Sequence, residues 1–200
     1  MSRQRATVDL AKVLAAIPTA EFDELDTQLL DATDRLLRKR GLRKWTLDDV
    51  ADEARAGRTT VYRRFGSRDA LVHAVLAREL RATLDAIGRA TNKLENLEDK
   101  AVAAVTTALA CLGGSVVDSL LRSDPDTFLP FLTTDAGPLL AIATSAINNA
   151  LDGHSPELGE AAARIGLSFV LTRDSVLPLN KPMQLDVAVR RLVRSVLAAH

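Results

Sequence analysis

Along this chain apolar residues recur at three- and four-residue spacing. No stretch alternates apolar with polar over the length of a strand, so the pattern predicts an all-α fold. Residues 26–40 form the best-punctuated helix. Leu29, Ala32, Leu36 and Lys39 trace its inner face, with Leu25, Leu30 and Leu37 beside them. Acids open it, Arg38, Lys39 and Arg40 close it, and Gly41 supplies the stop. Leu47, Val50, Ala51 and Ala54 then fall at the spacing of one apolar face on a short second helix. The segment after it, residues 58–65, differs in kind. Val61 and Phe65 face inward, and Arg58, Thr59, Thr60, Tyr62, Arg63 and Arg64 make up the rest. A helix meant for burial does not look like that.

The remaining segments are ordinary amphipathic or apolar helices. Residues 67–88 carry Leu71, Val72, Val75, Leu76, Leu80, Leu84 and Ile87 on one side. Residues 93–100 read as a polar connection into an Ala-rich helix over 101–112, closed by Gly113 and Gly114. Further helices are expected over 115–121, 138–151 and 156–173, with a last one after the loop of residues 175–182. At the front, residues 8–17 have helical apolar content that stops at Pro18 and is interrupted by Lys12, which does not suit a signal peptide. This end is read as a solvated, partly disordered terminus, with Arg3 and Arg5 as candidate minor-groove contacts.

The segment from Thr46 to Phe65 therefore decides the reading. Thr46 is a good N-cap, and Asp49 three residues on can reach back to complete a shortened capping box. Gly57 can cap the helix that follows, less well than Ser or Thr. That helix, with Arg58, Thr59, Tyr62 and Arg63 projecting outward, suits a DNA groove. Arg bonds guanine bidentately, a Thr methyl packs on a thymine methyl, and the Tyr62 hydroxyl reaches a phosphate. A helix N-terminus adds free N–H groups for phosphate oxygens.

Charge supports this locally but not globally. The chain has 26 Lys+Arg against 26 Asp+Glu, yet the window 35–68 alone carries a net +7, leaving −7 for the remainder. A basic module on an acidic body is the footprint of a two-part DNA-binding protein.

Residues 25–75 resemble the tetracycline-repressor (TetR) family of bacterial transcription regulators. Val50-Ala51, the turn, Thr60-Val61-Tyr62-Arg63-Arg64-Phe65, Arg68 and Leu71 stand where that family's block has its Ile/Val-Ala pair, its Thr-Leu-Tyr-x-x-Phe and the Lys and Leu that follow. The resemblance implies that Arg58, Thr59, Thr60 and Arg63 face bases, that Tyr62 and Arg68 hold phosphates, and that Ser67 caps the next helix. Arg64 adds a further phosphate contact, and Thr46 completes the candidate DNA-binding set. Two positions depart from the family. Arg55 stands where the turn glycine belongs, and Gly57 replaces the capping serine, so operator preference does not transfer.

The resemblance divides the chain into an N-terminal extension (1–24), a helix-turn-helix DNA-binding domain (25–70) and a helical ligand-binding and dimerisation domain (71–200). It implies a homodimeric, ligand-responsive repressor of a palindromic operator, with residues 67–88 as the lever between ligand and recognition helices. Phe128 and Phe131 are candidates for an effector cavity, with core packing as the competing role. Ser145, Asn148 and Asn149 can hydrogen-bond a small, mainly apolar effector, or can simply form an exposed face. The last two helices are apolar over more than one side, and Ala162, Ile165, Gly166, Phe169, Val189, Leu192, Val193 and Val196 are the candidate dimer surface.

Other classes lack their signatures. His73, His154 and His200 show no metal-ligand spacing, and there is no nucleophile turn or phosphate loop, so no catalysis, metal or cofactor is expected. No apolar run reaches the ~20 residues of a membrane span. The lone Cys111 suits a reducing cytoplasm. The alternative is a helical dimeric ligand-binding protein without operator-specific DNA binding.

Overall fold

The computed structural model describes residues 8–17, 22–150, 156–172, 178 and 181–197. The basic arm expected at Arg3 and Arg5, and His154 and His200, lie outside them. Among the described residues every regular element is a helix, eleven in all: α1 (Leu10–Ala16), α2 (Glu24–Arg40), α3 (Leu47–Ala54), α4 (Arg58–Phe65), α5 (Arg68–Thr91), α6 (Leu97–Leu112), α7 (Val116–Ser123), α8 (Pro125–Leu132), α9 (Gly137–Ala150), α10 (Pro156–Leu171) and α11 (Pro182–Leu197). None of them alone is long and apolar enough to cross a membrane.

The chain forms two compact units: residues 1–81 with 114–135, and residues 82–113 with 136–200. The first is built on α2. Leu29, Leu30, Ala32, Leu36 and Leu37 are all buried, and α3 and α7 pack on this helix. Lys39, expected on the inner face, is exposed instead. The apolar stripe already ends at Leu37, and among the described residues the ammonium has no ion-pair partner that would repay burial. Gly41 ends α2 at φ 68°, and a Cβ there would lie 2.6 Å from the Asp124 carboxylate. That same carboxylate accepts the Leu42 N–H at 2.8 Å, so glycine is required for α7's end to close on α2. Trp45 is buried and donates its indole N–H to the Gly41 carbonyl at 3.0 Å.

Residues 8–17 are not a solvated tail. Asp9 caps α1, and Val8, Val13 and Ile17 are buried. The Asp9 N–H donates to His73 Nε2 at 2.9 Å, and Arg81 donates to the Ile17 carbonyl at 3.0 Å. Apolar burial plus two long-range hydrogen bonds outweighs the ordering cost that a polar terminus could not meet.

The second unit packs α10 on α9 and both α10 and α11 on α6. Val102, Leu185 and Val189 form its buried cluster, with Val105, Leu109 and Val193 against it. Asn96 caps α6, so this helix starts one turn before the expected residue 101. Gly159 lets α10 approach α9 closely, because a Cβ there would collide with the Asn148 side chain.

Candidate nucleic-acid interface

Thr46 and Asp49 form a reciprocal capping box. The Thr46 hydroxyl oxygen accepts the Asp49 N–H at 3.2 Å, and the Asp49 carboxylate accepts the Thr46 N–H at 2.8 Å. The Thr46 hydroxyl also donates to that carboxylate at 2.8 Å. These bonds from Thr46, with the guanidinium of Arg40 beside them, hold the Asp49 carboxyl below its usual range. Thr46, an expected DNA contact, is thus exposed but has its hydroxyl committed to the cap. At the far end of α3, Arg55 takes the left-handed conformation (φ 52°, ψ 39°) that the missing turn glycine would otherwise adopt. Gly57 then starts α4 without a side-chain cap, leaving the first N–H groups of that helix to be met from outside.

In α4 only Val61 is buried, with Phe65 half-buried. Arg58, Thr59, Tyr62 and Arg63 are exposed and Thr60 is half-buried, as the spacing required of an outward face. Tyr62 keeps 51% of its surface in solvent, much for an aromatic side chain with a polar tip. Arg63, Arg55 and Lys44 make no ion pair among the described residues. Arg58 lies 3.2 Å from the Asp48 carboxylate of α3. Arg68, the first residue of α5, is held in place. Its guanidinium stacks 5.6 Å over the Trp45 ring and donates to the Trp45 carbonyl at 3.5 Å. Ser67 caps that helix through the Ala70 N–H.

Arg64 behaves differently from expectation. It lies 2.5 Å from Asp23 and 3.2 Å from Asp26 at the start of α2, so two carboxylates already match the charge offered to a phosphate. The Asp26 N–H, then Arg64, hold the Asp23 carboxyl below its usual range. Arg35 with Glu53 and Arg40 with Asp49 are likewise paired within the unit. The local excess of charge is therefore carried by fewer cations than the sequence suggests. Lys44 belongs with them, and Arg43 beside it, though 3.7 Å from the Asp124 carboxylate, is likewise exposed just before the α3 cap; the sequence pattern places neither in the contact set. Their only signal is position next to an N-cap.

The expected ligand residues separate. Phe128 is buried and meets Phe131 edge-to-face, with centroids 6.2 Å apart, inside the first unit. In the second unit a cavity of about 560 Å³ opens between the end of α5, the start of α6 and α9. Its lining includes Leu84, Ile87 and Ile142, together with the polar Asp85, Asn92 and Lys100. Ser145 and Asn149 line it; Asn148, turned to Gly159, does not, and neither phenylalanine does.

The expected dimer residues divide too. Ile165 and Leu192 expose 58% and 53% of their surface, and Ala162, Gly166 and Phe169 are half-buried. Val189 is buried against α6 and Val193 packs on the same cluster, so these two serve the chain's own core rather than an outer face. The Val196 side chain lies outside the described residues.

Residues 29–75 match the sequence pattern of the bacterial regulatory proteins of the tetR family. No curated protein matches the chain. Among solved structures it is similar to the TetR family repressor AlkX from Dietzia sp. strain DQ12-45-1b, implicated in biodegradation of n-alkanes. The two are 26% identical, with a TM-score of 0.58 over 86% of this chain and 97% of that one. The fold is shared with the fatty acid degradation regulator FadR from Bacillus halodurans (11% identical, TM-score 0.60, 86% and 96% covered). A TetR-like regulator from Rhodococcus sp. RHA1 shares it as well (18% identical, TM-score 0.55, 90% and 100% covered).

Proposed function

We propose that this chain, whose residues 29–75 match the tetR family of bacterial regulatory proteins, is a ligand-responsive transcriptional repressor that binds a palindromic operator as a homodimer. The observation that carries this reading is α4. It follows a tight left-handed turn, buries only Val61, and presents Arg58, Thr59, Tyr62 and Arg63 to solvent. In the proposed complex Arg58 and Arg63 read base edges, Thr59 and Thr60 pack on methyl groups or bond bases, and Tyr62 and Arg68 hold phosphates. The uncapped start of α4 receives a phosphate oxygen.

A second copy is needed by the geometry of the target. Two such helices about 34–36 Å apart meet successive major grooves on one face of the duplex. The exposed Ile165 and Leu192 of α10 and α11, with the half-buried Phe169, are the surface proposed to join the copies. Operator occupancy then excludes polymerase. The cavity of the second unit is the proposed effector site. Its mixed lining favours a small molecule with an apolar body against Leu84, Ile87 and Ile142 and a hydrogen-bonding end toward Asn92, Ser145 and Asn149. Such a ligand releases DNA only by as much as it prefers the state that cannot reach both half-sites.

The test is selection of sheared genomic DNA by the purified protein at near-physiological salt, followed by sequencing. Recovery of an inverted repeat is the expected result. Sequence-blind retention that salt abolishes would leave a basic surface and a helical dimer of other purpose.

A further inference from the structure

We propose that Asp48 is a specificity-determining residue of the DNA interface, acting by holding Arg58 in one pose for a guanine edge; this rests on the operator-binding reading above. Asp48 sits in the first turn of α3 and Arg58 is the first residue of α4. The ion pair between them, Arg58 Nη1 to Asp48 Oδ2 at 3.2 Å, bridges the two helices of the motif on its exposed side.

The pair has little other use. Capping of α3 is already done by Asp49, whose carboxylate is committed to Thr46 and Arg40. An ion pair with 64% and 41% of its side chains exposed contributes little to stability. Moreover, a carboxylate on a surface that meets a polyanion weakens binding to every sequence. What it supplies is geometry. A guanidinium has five donors in a fixed fork, so one nitrogen can be anchored on Asp48 while another edge remains for the two acceptors of guanine. Anchoring the side chain before docking removes part of the ordering cost at the moment of readout. Exclusion of water on docking then strengthens the pair that was weak in solvent. Asp48 thereby trades general affinity for discrimination.

The experiment compares wild type, Asp48→Ala, Asp48→Asn, Arg58→Ala and the Asp48→Ala/Arg58→Ala double variant. It measures affinity for the selected operator, for every single-base variant of it, and for unrelated DNA, at one salt concentration. Melting midpoints confirm folding. Asp48→Ala should lose about five- to tenfold of its discrimination at the base pair that Arg58→Ala also relaxes, a fraction of what a bidentate contact supplies. It should at the same time bind unrelated DNA more tightly. Asp48→Asn, which keeps an acceptor but not the charge, should fall between. In the Arg58→Ala background, removal of Asp48 should leave discrimination unchanged, because the group it positions is gone. Wild-type discrimination in Asp48→Ala, or additive losses in the double variant, would overturn the proposal while leaving operator binding intact. Absence of any preferred site in the wild type would overturn both.

Discussion

Arg55 is the residue at which local chemistry and backbone disagree most. Its left-handed conformation, φ 52° and ψ 39°, costs an L-residue about 1–2 kcal/mol, and glycine escapes this at some cost in unfolded-state entropy. Arg55→Gly should therefore stabilise the protein by about 0.5–1 kcal/mol, read as a shift in urea midpoint. A chain that tolerates this strain keeps an exposed cation at the turn. If Arg55 meets a phosphate, the same variant should reduce the salt slope of DNA binding by about one. Glu79 is the counterpart in the first unit. It accepts the N–H of Val116 at the start of α7 at 3.1 Å, and burial, opposed by that bond and by Arg38, pushes its carboxyl above the usual range. A raised folded-state value means that the protonated form favours folding. That contribution is full below the unfolded-state value and is lost as pH rises through the folded-state value. Glu79→Gln keeps an acceptor for Val116 without the charge. It should raise the melting midpoint near pH 7 by about 2–4 °C, roughly 1 kcal/mol, and change it little near pH 4. An unchanged midpoint near pH 7 would remove Glu79 as a buried liability.

Among the elements, α1 was legible as a helix but not as a docked one. The helix itself is 7 residues long, about two turns, and the partners of the flanking Asp9 and Ile17, His73 and Arg81, are each 64 residues away. Val13→Ala should cost about 1.5–2.5 kcal/mol in denaturant unfolding if α1 is docked as described, and almost nothing if the segment is solvated. The motif elements were legible because their signals are local. The Thr46–Asp49 box, the Gly41 stop, the left-handed Arg55 and the uncapped Gly57 each lie within four residues of the structure they cause. Links that join distant residues were not: Asp124 on the Leu42 N–H and Arg64 on Asp23 have no spacing that announces them. Even a local signal can be hidden. Asn96 and Asp99 form the cap of α6, but the polar run around them reads as a connection. The exposed basic face of α4 could be read because almost nothing apolar competes with it. The cavity could not, since its lining comes from three helices and no single segment encodes it.

For the whole molecule, the distinction between buried and exposed apolar residues on α10 and α11 decides what a dimer can use. Both helices pack on α6, and Leu185, Val189 and Val193 are spent there. Ile165 and Leu192 are not, and each keeps more than half of its surface in solvent, apolar area that a second copy could bury. If they join two copies, Ile165→Glu and Leu192→Glu place like charges at an interface related by a two-fold axis, where each substitution acts twice. The double variant should sediment as a monomer at concentrations where the wild type is a dimer. Its melting midpoint should be little changed, apart from any part of wild-type stability that dimerisation supplies. DNA binding separates the two scales. A monomer keeps α3, α4 and every proposed base contact, so affinity for a single half-site should match that of the wild type. Affinity for the full inverted repeat should fall by about 10²–10⁴, the advantage that linking two sites confers. Equal loss on half-site and full site would mean that the charges damaged the fold rather than the partnership. No loss on either would remove Ile165 and Leu192 from any contact between copies.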